Sequence, residues 1–228
     1  MNVILENWLV IAKGLRMTLA LAGAVLACTT VISLVLGVLA TLPNRWLKLA
    51  IHGYVELFRS IPLIVNVFCV FFVAPMFGLD LSPFVAATVG LSLWGGANGT
   101  VVVSSGIASV PPHQWKSAAA LGLRRWQIYR YVIGPQSMGA ILPAYTGLLT
   151  LLVQSTALGA LIGVGEFLKV SQNIIERATI MQGQNPAFEV YGLVLAVYFV
   201  ICSAFSALSR YLERRLQRER VRPLSTQG

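Results

Sequence analysis

Apolar residues run along this chain in five long stretches separated by short polar clusters. Stretches free of Asp, Glu, Lys and Arg occupy 17–44, 60–79, 81–112, 131–165 and 190–209. A helix needs roughly 20 such residues to cross the hydrocarbon of a bilayer. The pattern predicts an all-α membrane protein with five transmembrane helices, at about 17–42, 58–79, 82–108, 137–163 and 188–210, in one membrane domain over 1–228. Pro83 falls where it opens the third helix at no cost in hydrogen bonds. Pro62 lies inside the second span and predicts a kink there. The stretch 131–165 exceeds one span and holds Pro135 and Pro143, so its first part is expected at the interface. Ile4, Trp8, Ile11 and Leu15 recur at spacings of three and four. That amphipathic stripe predicts a short helix on the outer surface, with an extended start to the first span as the alternative.

Composition agrees with the pattern. Apolar residues make up 57% of the chain, charged residues 11%, and mean hydropathy is +0.76. A water-facing domain carries about 25% charged residues, so soluble-enzyme readings are excluded. The N-terminus does not read as a cleavable signal, because the apolar run after Glu6, Lys13 and Arg16 is too long. Cys28, Cys69 and Cys202 lie inside apolar runs with no paired spacing, and read as small buried hydrophobes rather than disulfide or metal ligands. His52 and His113 read as interfacial, so no metal and no catalytic residue is expected.

The net charge of +9 has an uneven distribution. Thirteen basic residues fall in 41–59, 109–130 and the tail from 210, against four (Lys13, Arg16, Lys169 and Arg177) on the other side. The positive-inside rule then places the N-terminus outside and the C-terminus in the cytoplasm. The six arginines of the tail, between 210 and 222, fit contact with anionic membrane lipid rather than nucleic acid.

The most informative segment is the cytoplasmic loop 109–136. Pro111 and Pro112 can open a helix, Ala118, Ala119 and Ala120 extend it with little bulk, and Gly122 can end it in the left-handed conformation. A second short helix follows, with Trp126, Tyr129 and Arg130 near the headgroups. A small-sided helix projecting from the membrane suits insertion into a cleft on a cytoplasmic partner.

At this point four blocks resemble those of the polar amino-acid ABC importer permeases. Ala118, Ala120, Leu121 and Gly122, followed by Pro135-Gln136, resemble the EAA loop, whose coupling helix docks on an ATPase. Tyr54, Glu56, Arg59, Pro62 and Leu63 resemble a second signature of that family. Ile162 to Glu166 and Leu212 to Leu216 match two more, in order and over nearly the whole chain. The resemblance implies a dimeric permease in the bacterial inner membrane. Its implied partners are an ATP-binding cassette ATPase dimer, an extracytoplasmic substrate-binding protein and a second permease subunit, with a polar amino acid or derivative as substrate. It assigns coupling to Lys116, Ser117, Ala118, Ala119, Leu121, Gly122 and Pro135. Departures are present too. Lys116 stands at the EAA glutamate, Val101 and Ser104 replace a Glu and an Arg, Gln154-Ser155-Thr156 replaces a charged block, and Gly139 replaces an Arg.

Polar residues within the spans are functional candidates because desolvation is costly without partners. Asn66, Asn98, Thr100, Gln154, Ser155 and Thr156 could line a substrate path or merely bond neighbouring helices. Glu56 and Arg59, three apart on one helix face, can pair at the cytoplasmic rim. Gly90, Gly95, Gly96 and Gly99 permit close helix packing or a locally unwound site. No phosphate-binding Gly-rich loop with Lys-Ser/Thr occurs, so no cofactor is expected on this chain, and ATP and Mg belong to a partner. The principal reading is an ATP-driven importer's membrane subunit. An autonomous secondary carrier or channel is the alternative, weakened by span interiors almost free of charge.

Overall fold

The computed structural model describes the backbone of residues 2–183 and 185–220, and all their side chains except those of 2, 182, 208, 209 and 212–220. The arginines at 214–222 and the block 212–216 have side chains outside the described residues. In chain order the helices are α1 (Asn2–Glu6), α2 (Trp8–Leu39), α3 (Arg45–Ser60), α4 (Leu63–Val73, extended by a 3-10 turn over Ala74–Phe77) and α5 (Pro83–Ala108). They continue as α6 (Pro112–Ala120), α7 (Arg125–Gln127, running into a π-helical stretch Ile128–Ile133), α8 (Gly134–Ser155, then a 3-10 segment Thr156–Ile162), α9 (Phe167–Gln182) and α10 (Ala187–Arg220). Among the described residues four helical runs are long and apolar enough to cross a membrane, and the count reaches five if the bent pair α3 and α4 is one span.

The structure adds three details to these expectations. Helix α2 runs from Trp8 and the five-residue α1 precedes it, so the residues of the amphipathic stripe fall on two helices. The amphipathic stripe has a partner within the chain: Ile11 and Val3 pack on Val170, Ile174 and Ala178 of α9. Helix α9 itself was not foreseen, because its polar positions hide its apolar face in any span search. Second, Pro62 does more than kink a helix. Helices α3 and α4 meet at 103° across it, since Pro62 lacks the N–H that would continue α3 and biases Ile61 to an extended backbone. Third, the stretch 131–165 lies mostly within one continuous helical run. Residues Arg125–Ile162 form one helical run of 38 residues, with Pro135 in the first turn of α8 and Pro143 inside it.

Helix α5 is the central strut, packed on α2, α3, α4 and α8. It starts at Pro83, as expected, behind Ser82, whose hydroxyl accepts from the Val85 N–H at 3.4 Å. Its glycines serve close packing, and α5 is continuous through all of them. A Cβ at Gly95 would lie 2.7 Å from Thr29 Oγ1, and one at Gly90 2.8 Å from the Val67 backbone. One at Gly99 would overlap the Ser33 hydroxyl. Around this seam Leu21, Val25, Val67, Leu91 and Leu152 form a fully buried core.

Candidate functional site

Two surfaces carry candidate functional residues: a protruding helix and a groove with polar side chains in a mostly apolar lining. The protruding helix is α6. Pro111 and Pro112 open it, and it ends where Gly122 takes φ 76°. The Gly122 N–H donates to Ala119 O at 3.0 Å and the Leu123 N–H to Ala118 O at 3.3 Å. This double bond set closes a helix through a left-handed residue, which glycine adopts without steric cost. Ala118 is buried, only 3% exposed, against Val103, Ile107, Val110, Ile128 and Ile133. Lys116, Ser117, Ala119, Leu121 and Gly122 face outward, with Leu121 80% exposed. Pro135 is also exposed. Gln136 Nε2 donates to Gln114 Oε1 at 3.3 Å, tying α6 to the first turn of α8.

The polar span residues do not converge. Asn66 is 3% exposed and donates Nδ2 to the carbonyls of Phe58 and Ile61, both at 3.2 Å. It caps the end of α3 at the bend. Thr100 donates to Gly96 O at 2.7 Å, Ser155 to Leu151 O at 2.8 Å and Thr156 to Val153 O at 2.7 Å, each within its own helix. Asn98 accepts from Arg59 Nε at 3.2 Å and donates to Trp94 O at 3.0 Å. Arg59 therefore reaches Asn98 rather than Glu56, because the bend turns that end of α3 toward α5. Of the six candidates, Gln154 alone lines the groove between α8 and α10.

That groove has a volume of about 650 Å³ and runs between α8 and α10. Thr150 and Gln154 of α8 face it, as do Tyr198, Cys202, Ser206 and Arg210 of α10, with Ser203 beside them. Both polar series repeat every four residues, which places each on one helix face. From Tyr198 to Arg210 the stripe extends about 18 Å along the axis. The groove residues on α10 were missed in the sequence, though the four-residue period of 198, 202, 206 and 210 was there to be read. Thr150 donates to Thr146 O at 2.9 Å, leaving its oxygen as an acceptor. Gln154, Ser203 and Ser206 have no side-chain partner among the described residues, so their donors and acceptors stay available.

Tyr198, in the groove lining, is tied to a buried carboxylate. Glu166 is fully buried and caps α9, accepting from Leu168 N–H at 2.9 Å and Lys169 N–H at 2.7 Å. Its Oε2 also accepts from Tyr198 OH at 3.0 Å and from Thr18 Oγ1 at 3.3 Å, whose one proton is shared with Gly14 O at 3.2 Å. Four donors, two of them at a helix N-terminus, compensate the burial of the charge. Arg210, at the far end of the stripe from Tyr198, is exposed.

Residues 14–218 match the family described as the inner membrane component of binding-protein-dependent transport systems. This chain belongs to that family. It is 30% identical to the probable amino-acid ABC transporter permease YckA of Bacillus subtilis, over 92% of this chain and 91% of the relative. It is also 30% identical to the glutamine transport permease GlnP of Escherichia coli, over 90% and 92% of the two chains. A crystal structure of an amino acid ABC transporter with histidines superposes with a TM-score of 0.81 and 26% identity, covering 93% of this chain and 96% of the other. The methionine transporter MetNI in an inward-facing form shares the fold, with a TM-score of 0.74 over 92% and 98%. The chain is thus a permease subunit of an ATP-driven importer, and the autonomous carrier is set aside.

Proposed function

We propose that this permease forms half of a path for a polar amino acid or close derivative, and that the path follows the groove between α8 and α10. The observation that carries this is the set of polar side chains at four-residue spacing on two apolar helices, Thr150 and Gln154 on α8 and Tyr198 to Arg210 on α10, facing one groove. Exposed polar side chains in a span face a protein interior or a water-filled cavity, not lipid. Amides and hydroxyls there can satisfy the ammonium and carboxylate of a zwitterion as it sheds water. Arg210, at the exposed end of the stripe, supplies a guanidinium that matches a carboxylate.

The exposed face of α6 is the docking surface for a separate cytoplasmic ATPase, which carries ATP and Mg. The distribution of basic residues supports a cytoplasmic side for that face and Arg210, with the N-terminus outside. An extracytoplasmic binding protein delivers substrate to the opposite end. The second permease subunit is a homologous sibling rather than a second copy. Val101, Ser104, Ser155 and Gly139 are uncharged where the resembled family carries charge, and a desolvated zwitterion needs complementary groups from some wall.

Reconstitution tests this reading. Proteoliposomes holding this chain, its ATPase and a sibling permease are expected to take up an amino acid only with ATP and binding protein. Uptake driven by an ion gradient without ATP would contradict it. Full uptake without any second permease would contradict the asymmetric pairing while sparing the rest.

A further inference from the structure

Behind α6 lies a second cavity, of about 510 Å³, which neither docking nor the groove uses. The ends of α2 and α5, the start of α3, the inner face of α6 and the π-helical stretch enclose it. Its polar lining consists of Thr41, Lys48, Ser104, Ser105, Trp115 and Tyr129.

Which of these groups still offer a proton can be worked out bond by bond. Thr41 donates its proton to Val38 O at 2.6 Å. In the 2.8 Å contact between Thr41 Oγ1 and Tyr129 OH, the tyrosine must then be the donor. Ser104 gives its proton to Val101 O at 3.2 Å. That leaves the Lys48 ammonium, the Ser105 hydroxyl and the Trp115 indole N–H with no partner among the described residues. No carboxylate lines the cavity among the described residues. Lys48 and Ser105 are exposed and Trp115 is half-buried, so the cavity mouth offers one cation and two neutral donors, a set that an oxyanion complements.

The site is also shaped for one. A π-helical turn is rare and marks functional places; here it carries Tyr129 into the cavity wall, edge-on to the Trp115 ring at a centroid distance of 5.1 Å. The cavity sits where α2 ends at Leu39 and α3 starts at Arg45, next to exposed Trp46, which is the level of lipid headgroups.

We infer that the cavity behind α6 binds a phosphate oxyanion through Lys48, Ser105 and the Trp115 indole, supplied either by the headgroup of an acidic phospholipid or as free phosphate. Binding there bridges α3 to α6. A consequence for ATPase coupling rests on α6 being the docking helix; the binding itself does not.

The test uses the permease assembled with its ATPase. In one arm the complex sits in nanodiscs of phosphatidylcholine with or without phosphatidylglycerol, and retained lipid is counted by native mass spectrometry. In the other, the detergent-solubilised, delipidated complex is titrated with potassium phosphate and followed by phosphorus NMR. Three variants accompany the wild type: Lys48→Gln, Ser105→Ala, and Trp115→Phe, which keeps a ring against Tyr129 and removes only the N–H. Selective phosphatidylglycerol retention that falls roughly fivefold in Lys48→Gln identifies a headgroup site. Phosphate binding with the same Lys48 dependence, and no lipid selectivity, identifies a free-anion site. Trp115→Phe is expected to weaken whichever anion binds by roughly three- to tenfold. Retention and titration identical in the wild type and all three variants would overturn the site. That outcome would leave uptake, and with it the transport reading, untouched.

Discussion

Asn66 shows how one residue type can point to two different roles. An amide inside an apolar run marks either a ligand contact or a backbone that needs capping, and only the 103° bend between α3 and α4 decides for the cap. The same ambiguity covers Thr100, Ser155 and Thr156, whose hydroxyls bond carbonyls three or four residues back in their own helices. Glu166 is the opposite case. It stands in a motif that the sequence displays, yet its burial and four donors come from α2, α9 and α10 folding together. Glu166→Ala removes the acceptor from all four, and its expected cost is about 2–3 kcal/mol. Glu166→Gln, which keeps one acceptor oxygen, is expected to cost less. Thermal unfolding in detergent checks the order, and equal midpoints for wild type and Glu166→Ala would refute the network's structural weight.

Among the elements, α6 was the most legible, because its limits rest on local chemistry: prolines at the start, alanines within, glycine at the end. Only the structure separates its faces, turning Ala118 inward and Ala119 outward. Ala119→Trp should leave the subunit inserted and at normal abundance, yet abolish substrate-stimulated ATP hydrolysis. Gly122→Asp should do the same, since a side chain at φ 76° strains the turn and puts a charge on the docking face. Normal stimulation in both variants would show that α6 does not dock. Helix α9 and the bend at Pro62 were not legible, and for different reasons. Helix α9 mixes polar with apolar positions and finds its cover on α1 and α2, a long-range match. The bend at Pro62 follows from a local rule, but the angle depends on Asn66 capping from the next helix. The stripe on α10 was readable from its period and passed unnoticed inside a run that hydropathy alone treats as uniform.

For the whole molecule, the number of spans was legible because the bilayer acts on hydropathy averaged over many residues, which tolerates errors of several residues at each end. Helix α2, for example, starts at Trp8, nine residues before the uncharged stretch does. Orientation rests on the thirteen-to-four basic asymmetry. Reporter fusions at Gly78 and Gly183, both exposed left-handed turns, should report the outer side, and one at Gly122 the cytoplasm. A cytoplasmic signal at Gly78 would reverse the topology.

The path itself has a native probe. Cys202 lines the groove, and the two other cysteines, Cys28 and Cys69, lie outside its lining. In the assembled transporter carrying Cys28→Ser and Cys69→Ser, only Cys202 of this chain remains to react with a charged, membrane-impermeant methanethiosulfonate. A thiol ionises and reacts in water, not in hydrocarbon. During ATP turnover Cys202 should label, and Ser206→Trp, which fills the groove beside it, should slow labelling and uptake together. Unreactive Cys202 in a transporter that is importing would contradict a path along α8 and α10.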